Sequence, residues 1–257
     1  MLEASPFLVW SFAALAVLVG AAFPLGLSWA DRRLGRSLGA ARTAALLAAL
    51  GTVLWMGLTL AAAATGRLAF GTVPPPMMIL FVLILALGIG VGLSPVGERL
   101  AMGLPLAVLV GVQGFRLPLE LLMHRAYTEG VMPEQMSYSG YNFDIVTGIT
   151  ALLVAGMLLA GRMPLWGVRV WNWMGFLLLV NVVMIAWLST PIPLRVFMNE
   201  PANVWITHPP FVWLPTVLVL TALLGHIVIF RRLRMERTRG MSPRAASHPE
   251  PRRMAVP

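Results

Sequence analysis

Hydrophobic residues follow one another in long runs along this chain, and short polar stretches separate the runs. An α-helix needs ~20 apolar residues to cross the hydrocarbon core of a bilayer. Seven runs reach or approach that length, at residues 7–29, 43–65, 77–95, 101–123, 143–160, 168–189 and 211–230. The pattern therefore predicts an all-α fold, a polytopic membrane helix bundle of seven transmembrane helices that occupies residues 1–234.

The polar stretches differ strongly in their arginine content. The links after the first, third and fifth runs, together with the segment after the seventh, hold 15 Arg residues, whereas the alternate links hold only Arg67, Arg125 and Arg195. Positively charged loops remain in the cytoplasm. This bias predicts an amino terminus outside and a carboxyl terminus in the cytoplasm. Residues 235–257 are polar and basic, which predicts a disordered cytoplasmic tail.

Composition supports the membrane assignment and excludes several kinds of chemistry. The 257 residues are 58% hydrophobic and 11% charged, with a mean hydropathy of +0.82, which is too apolar for a soluble domain. The net charge of +9 lies between and after the apolar runs, so the expected partner is the lipid bilayer and not a nucleic acid. The chain has no Lys, which excludes a retinal Schiff base, and no Cys, which excludes Fe–S clusters and c-type haem.

A polar stripe runs along the fourth apolar run. It consists of Gln113, Arg116, Glu120, His124 and Tyr127. At ~100° per residue these side chains share one face of a helix. An unpaired Arg at the centre of a bilayer costs at least ~2.5 kcal/mol, so Arg116 requires a partner, and Glu120 is the nearest candidate. Counted from Ala101 at ~1.5 Å per residue, Arg116 is expected in the outer third of the membrane.

Pro118 and two polar residues elsewhere extend this candidate site. Pro118 supplies no N–H to the Gly114 carbonyl, which favours a kink and a small polar cavity. Asp144 would lie level with the outer end of the stripe, as a second partner for Arg116 or His124, or as a helix cap. Asn181 would be an interhelical hydrogen-bond donor or a cavity wall. The alternative is that Arg116 and its carboxylate only fasten helices together.

The last outer connection is long and mixes Pro, aromatic and polar residues. It is expected to fold back over the bundle as a cap. Its polar residues, which could also be turn or capping residues, are Asn199, Glu200, Asn203 and His208.

The positions of the histidines suggest a second kind of site, for a metal ion or haem. His124 and His208 both map to the outer side and are metal candidates together with a nearby carboxylate, or an axial pair for haem. His226 is placed near the cytoplasmic end of the seventh run, where it is expected to be interfacial.

Two stretches carry a family resemblance. The runs NFDIVTG at 142–148 and FMNEPANVWITHPPFVWLP at 197–215 resemble segments of an uncharacterised group of bacterial multi-pass integral membrane proteins. The likeness covers chiefly the fourth to seventh runs. It implies a multi-pass protein of the bacterial cytoplasmic membrane, and no function or site residue comes with it.

The sequence favours a protein that binds or transports a small polar or anionic solute in an outward-facing pocket. The residues predicted to bind the solute or couple its movement are Gln113, Arg116, Glu120, His124, Asp144 and Asn181. A membrane-embedded metal- or haem-dependent enzyme and a membrane sensor or assembly factor are the alternatives. No nucleophilic triad, phosphate loop or metal motif appears, so no catalytic residue is predicted, and the oligomeric state is left open.

Overall fold

The computed structural model describes residues 4–241, with side chains described up to residue 238. Within that range the chain is helical and contains no β-strand. The helices are α1 (Pro6–Arg33), α2 (Leu38–Ala64), α3 (Pro76–Leu93), α4 (Pro95–Gly103), α5 (Leu106–Val112), α6 (Arg116–Thr128), α7 (Ile145–Leu159), α8 (Leu165–Leu188) and α9 (Leu220–Met241). A 3₁₀ turn at Gln113–Phe115 joins α5 to α6, and a π-helical turn at Leu214–Val219 leads into α9.

Helix α9 lies at the centre of the bundle. It packs against α3, α4, α5 and α8, while α7 packs against α5 and α6 on one side. Helix α1 packs against α2, α4 and α6. Helix α2 packs chiefly on α1, and most of its leucines remain exposed, as expected for a helix that faces lipid. The hydrophobic runs therefore form one bundle whose outer surface is apolar.

Six helical stretches are long and apolar enough to cross a membrane. They are Pro6–Arg33, Leu38–Ala64, Pro76–Leu93, Leu106–Thr128, Leu165–Leu188 and Leu214–Thr238. The predicted fifth span, residues 143–160, corresponds to α7, which is apolar but only 15 residues long. The structure therefore shows a multi-pass membrane protein with six clear candidate spans.

The predicted fourth span is interrupted. The sequence pattern predicts one helix over residues 101–123, but Ala101 belongs to α4, and the chain is extended at Leu104 before α5 begins. Pro105 explains the break, because it has no N–H to donate and disfavours the helical conformation of the residue before it. The crossing stretch is instead Leu106–Thr128, which starts five residues later than predicted.

One end of the bundle, here called the cap end, is formed by residues 129–144 and 189–213. Trp205 is fully buried there and contacts the rings of Phe12 and Phe211 at centroid distances of 6.0 and 4.9 Å. Such aromatic clusters bury large apolar areas. The connection before α9 therefore packs onto the bundle.

The opposite end is closed by arginines that bind helix-terminal carbonyl groups. Arg231 Nη1 donates to the Ser94 carbonyl at 2.6 Å, and Arg232 Nη1 donates to the Ala101 carbonyl at 2.9 Å. The last carbonyls of a helix lack intrahelical donors. These arginines therefore have a structural role in addition to their contribution to the charge bias.

Helix α9 continues to Met241, seven residues into the segment predicted to be a disordered tail. Arg232 and Glu236, four residues apart, form an ion pair at 2.8 Å that supports the helix there. Residues 242–257 of the predicted tail lie outside the described residues.

Glu129, just beyond α6, fastens the start of α1 at the cap end. Its carboxylate accepts hydrogen bonds from the Ser5 N–H at 2.8 Å and the Ser5 hydroxyl at 2.6 Å, and Arg125 is its ion-pair partner. Burial alone would raise the pKa of Glu129, but the hydrogen bonds from Ser5 and Arg125 outweigh it and lower that pKa. Ionised Glu129 therefore stabilises the fold.

This contact gives a pH-dependent prediction. A carboxylate with a lowered folded-state pKa contributes stability above its unfolded pKa of ~4.3, and the contribution is lost as the pH falls through the folded-state pKa. We expect Glu129→Gln to lower the melting temperature at pH 7, and the difference from wild type to narrow as the pH is lowered toward 3. Thermal unfolding in detergent across that range measures it. Glu134→Gln, which changes an exposed carboxylate at the same end of the bundle, should leave the melting temperature unchanged. A deficit of Glu129→Gln that stays constant with pH would contradict the prediction.

Candidate functional site

A buried ion pair between Arg116 and Asp144 lies inside the bundle. Arg116 Nε is 3.0 Å from Asp144 Oδ2, and the two side chains are 1% and 4% exposed. Glu120 was the expected first partner of Arg116, but its Oε2 instead accepts a hydrogen bond from Asn142 Nδ2 at 2.8 Å. The reason is the path of residues 129–144, which fold down between the helices and bring Asn142 and Asp144 to the polar stripe.

The pair lies near the middle of the crossing helices. Arg116 comes ten residues after Leu106 and twelve before Thr128, the two ends of its spanning stretch. The expected outer-third position was counted from Ala101 through the break at Leu104, so that count does not apply to the helical stretch that carries Arg116. The change from α-helix to 3₁₀ turn at Gln113–Phe115 directly precedes Arg116. It includes Gly114, whose carbonyl lacks the donor that Pro118 cannot supply.

His226 and Asn172 complete the cluster, and the sequence pattern missed both. His226 Nε2 is 3.1 Å from Arg116 Nη1, and His226 Nδ1 is 2.8 Å from Asn172 Oδ1. Because a guanidinium only donates, the network assigns Nε2 as acceptor and places the ring proton on Nδ1, which donates to Asn172. An interfacial position was expected for His226, but the residue is fully buried. The reason is that α9 extends to Met241, which puts position 226 midway along the span.

Glycines allow the backbones around the pair to approach closely. A Cβ at Gly148 of α7 would lie 2.8 Å from Leu117 Cα and 2.9 Å from the Arg116 carbonyl carbon. A Cβ at Gly175 of α8 would lie 2.8 Å from His226 Cε1, and the Gly175 carbonyl accepts from Arg116 Nη1 at 3.2 Å. Small residues at such positions let membrane helices come together. They bring three helices to one guanidinium.

Asn142 makes hydrogen bonds in two directions. Its Oδ1 accepts from the Asp144 N–H at 3.0 Å, in the turn before α7, while its Nδ2 donates to Glu120 and to the Met136 carbonyl. It therefore links the segment that carries Asp144 to the stripe of α6. Gln113, one turn below Arg116, is also buried and donates to the Ala222 carbonyl at 3.2 Å.

Two predicted site residues lie outside this cluster. His124 Nδ1 is 2.8 Å from the Ser137 hydroxyl, and its ring stacks on Tyr138 at a centroid distance of 4.4 Å. Asn181 donates to the Tyr141 carbonyl at 2.9 Å, so it holds the 129–144 segment to α8. Both residues contact this segment and not the Arg116–Asp144 pair.

The four predicted cap residues divide into two groups. Asn203 is fully buried, and its Nδ2 donates to the Ala186 carbonyl at 2.9 Å. Asn199 and Glu200 are exposed and bind Arg195, and His208 is exposed beside Thr207. Asn203 is therefore the cap residue that the structure brings to the interior.

His124 and His208, the two metal-binding candidates, do not form a common metal site in the structure. His124 and His208 each have their own partners. Among residues 4–241, no three His, Asp or Glu side chains are arranged to hold a metal ion.

A cavity of ≈ 60 Å³ opens beside the ion pair, between the cluster and the cap end. Its polar lining residues are Arg116, Glu120, Asp144, Thr190 and Asn203. The remaining 19 of its 24 lining residues are apolar and come chiefly from α3, α6, α8 and the π-helical turn before α9. The charged groups thus form one side of an otherwise apolar pocket.

Three polar atoms at this pocket lack a hydrogen-bond partner among the described residues. They are Arg116 Nη2, Asp144 Oδ1 and Asn203 Oδ1. A buried polar group without a partner costs ~1–3 kcal/mol. All three atoms belong to residues that line the pocket.

The bundle and its internal charged pocket define the chain as a multi-pass α-helical membrane protein with a buried polar site. The family model that matches it is described as a domain of unknown function (DUF8737) and covers residues 73–234. The chain belongs to that family, and all the pocket residues except Phe70 lie within the matched region. No curated protein and no solved structure matches the chain significantly.

Proposed function

We propose that the protein binds a small ligand in the membrane through the Arg116–Asp144 pair. One observation carries the proposal: Arg116 Nη2 and Asp144 Oδ1 are both buried beside a cavity and have no partner among the described residues. Leaving these atoms without partners costs free energy. A ligand with a polar group supplies what they lack.

The other atoms of the guanidinium are already occupied. Nε faces Asp144 Oδ2, and Nη1 donates to the Gly175 carbonyl and to His226. These contacts hold the guanidinium plane in place before any ligand arrives. Preorganisation of this kind reduces the cost of binding.

Binding is the function proposed for this site, and transport would be a second use of it. The cavity extends from the pair toward the cap end, while Gln113 and the apolar residues of α5 fill the other side. Transport would therefore need a rearrangement of α5 or α9. An uptake assay in proteoliposomes, with the ligand that copurifies, separates a transporter from a receptor.

We place the protein in a bacterial cytoplasmic membrane with seven spans and the cap end outside. The support for a seventh span is that α7 packs along both α6 and α5, so it runs back from the pair toward the opposite end. The support for the orientation is the 15 to 3 bias of arginines between the two ends. The bacterial source rests on the sequence resemblance alone.

The test replaces Arg116 with Lys, which keeps a positive charge beside Asp144 but removes the second donor edge. Native mass spectrometry of the detergent-solubilised protein should show a retained non-protein mass in wild type. We expect its occupancy to fall about tenfold or more in Arg116→Lys, the effect of losing one hydrogen bond to a charged group. Arg125→Lys, at an exposed position of the same helix, should retain the mass. Absence of a retained mass in wild type, or equal occupancy in Arg116→Lys, would overturn the proposal.

A further inference from the structure

The pocket is enclosed by protein on most sides, but the helices pack less closely on the side that faces the bilayer. Helices α3 and α8 both pack against α9, yet within residues 4–241 they are not a closely packed pair. Phe81 of α3 and Trp187 of α8 meet edge to face at 5.8 Å across the gap. The pocket residues Met78 and Val183, on the two sides of this gap, are half-buried. The position of the gap points to access from the lipid phase.

The gap is lined by side chains that can adapt. Met77 and Met78 line the α3 side, and Met123 and Met136 line the interior beyond it. Methionine is unbranched and flexible, and it accommodates ligands of irregular shape. A cavity of ≈ 60 Å³ holds only a few water-sized groups. A guest must therefore be narrow, with most of its length in the gap or in the bilayer.

The geometry of the ion pair defines the head of such a guest. The Nε and Nη2 edge of an arginine usually binds a carboxylate through two parallel hydrogen bonds. Here Nε and Oδ2 form an ion pair at 3.0 Å, while Nη2 and Asp144 Oδ1 have no hydrogen-bond partner among the described residues. A hydroxyl group can accept from Nη2 and donate to Oδ1 at the same time. An ionised carboxylate, or a phosphate that has lost its protons, cannot donate to Oδ1.

The charge of the site also selects against an anionic head. Arg116 is the one cationic side chain among the pocket-lining residues, and it is already paired with Asp144. A further negative charge in this low-dielectric interior would have no lining cation to balance it. A neutral head avoids that cost.

We infer that the pocket takes a neutral amphiphile, a hydroxyl head on a narrow hydrocarbon chain, which enters from the bilayer between α3 and α8. The inference rests on the proposed function, because it names the ligand class and the entry route for the same site. The hydroxyl of the amphiphile bridges Arg116 Nη2 and Asp144 Oδ1, and its hydrocarbon chain passes Val183 into the lipid.

The test uses two photoreactive probes that differ only in the head group. A C16 alcohol and the matching C16 carboxylic acid, each with a diazirine in the chain, are added to the protein in phosphatidylcholine nanodiscs at pH 7.4. Adducts are located and quantified by mass spectrometry. We expect the alcohol to label the pocket residues of α3 and α8 about tenfold more than the acid, and unlabelled 1-hexadecanol to compete. Equal or stronger pocket labelling by the acid would overturn the neutral head.

A variant pair tests the entry route without changing the charged residues. Val183→Trp fills the gap between α3 and α8, and we expect it to reduce pocket labelling by the alcohol about tenfold. Leu177→Trp, on α8 at a side chain that is 59% exposed, adds the same bulk outside the pocket and should leave labelling unchanged. Pocket labelling that is equal in wild type and Val183→Trp, or labelling spread evenly over the lipid-facing surface, would overturn the lateral route.

The same measurements separate this inference from the proposed function. If native mass spectrometry shows an Arg116-dependent small polar mass while the alcohol does not label the pocket, the inference fails and the proposed function stands. If no mass is retained and neither probe labels the pocket, both fail.

Discussion

Asp144→Leu is expected to lower the free energy of unfolding by about 3–5 kcal/mol, because it leaves Arg116 charged and unpaired inside the bundle. Arg116 is 1% exposed, so it lies away from bulk water. Arg116→Met should cost a similar amount by leaving Asp144 unpaired. The double variant Arg116→Met, Asp144→Leu removes both charges, and we expect it to be more stable than either single variant. Equilibrium unfolding in mixed detergent micelles measures all three.

The double-variant cycle tests the coupling directly. Buried pairs replaced together by apolar residues are often neutral or stabilising, whereas removal of one partner is costly. Glu200→Gln is a suitable control, because the ion pair of Glu200 with Arg195 is at the surface. We expect this variant to change the free energy of unfolding little. The double variant could lose as much free energy of unfolding as the two single variants lose together. In that case Arg116 and Asp144 are not energetically coupled, and the pair would not be the centre of the site.

Much of the polar site was predictable from one helix and its neighbouring segment. The spacing of Gln113, Arg116 and Glu120 predicts a common face, and these three residues are buried together in the structure. For Asp144, pairing with Arg116, pairing with His124 and helix capping were all left open, and the structure shows the ion pair with Arg116. These predictions succeed because a charged residue in an apolar helix must find a partner nearby.

The rest of the cluster could not be found by counting along single runs. His226 was assigned to a membrane interface because Arg231 and Arg232 were taken as the end of the span. Those arginines instead bind carbonyls of other helices, and α9 continues past them. Asn172 gave a weaker signal, a single polar residue in an aromatic-rich stretch. Its role depends on the packing of α8 against α9, which a single sequence does not specify.

The break at Leu104 and the inward path of residues 129–144 changed the depth of the site. Pro105 was a visible signal for the break, since proline ends helices at the preceding residue. The path of the loop had a subtler signal. Nonhelical backbone inside a membrane protein must be satisfied by side chains, and this loop carries Gln135, Ser137 and Asn142, all of which are buried. Polar residues in a loop between two spans can thus indicate a segment that enters the bundle.

Gly148→Ala is expected to disrupt the site through a single added methyl group. The new Cβ would meet the backbone of Leu117 and Arg116, which cannot move aside as a flexible side chain can. Helices α6 and α7 must separate, and Asp144, four residues before Gly148, would move away from Arg116. We expect a loss of about 1–3 kcal/mol in unfolding free energy, typical of overpacked cores. The retained mass in native mass spectrometry should fall as well.

Gly156→Ala on the same helix is the matched control, and it has the opposite expected sign. No atom lies within 4 Å of a Cβ built at Gly156, and Ala is favoured over Gly inside a helix by about 0.5–1 kcal/mol. The control should therefore keep or raise the melting temperature and leave ligand retention unchanged. If Gly148→Ala behaved like Gly156→Ala, the close approach of α7 to α6 would not be needed to hold Asp144 against Arg116. The ion pair would then depend on the 129–144 segment alone, through the contact of Asn142 with Glu120.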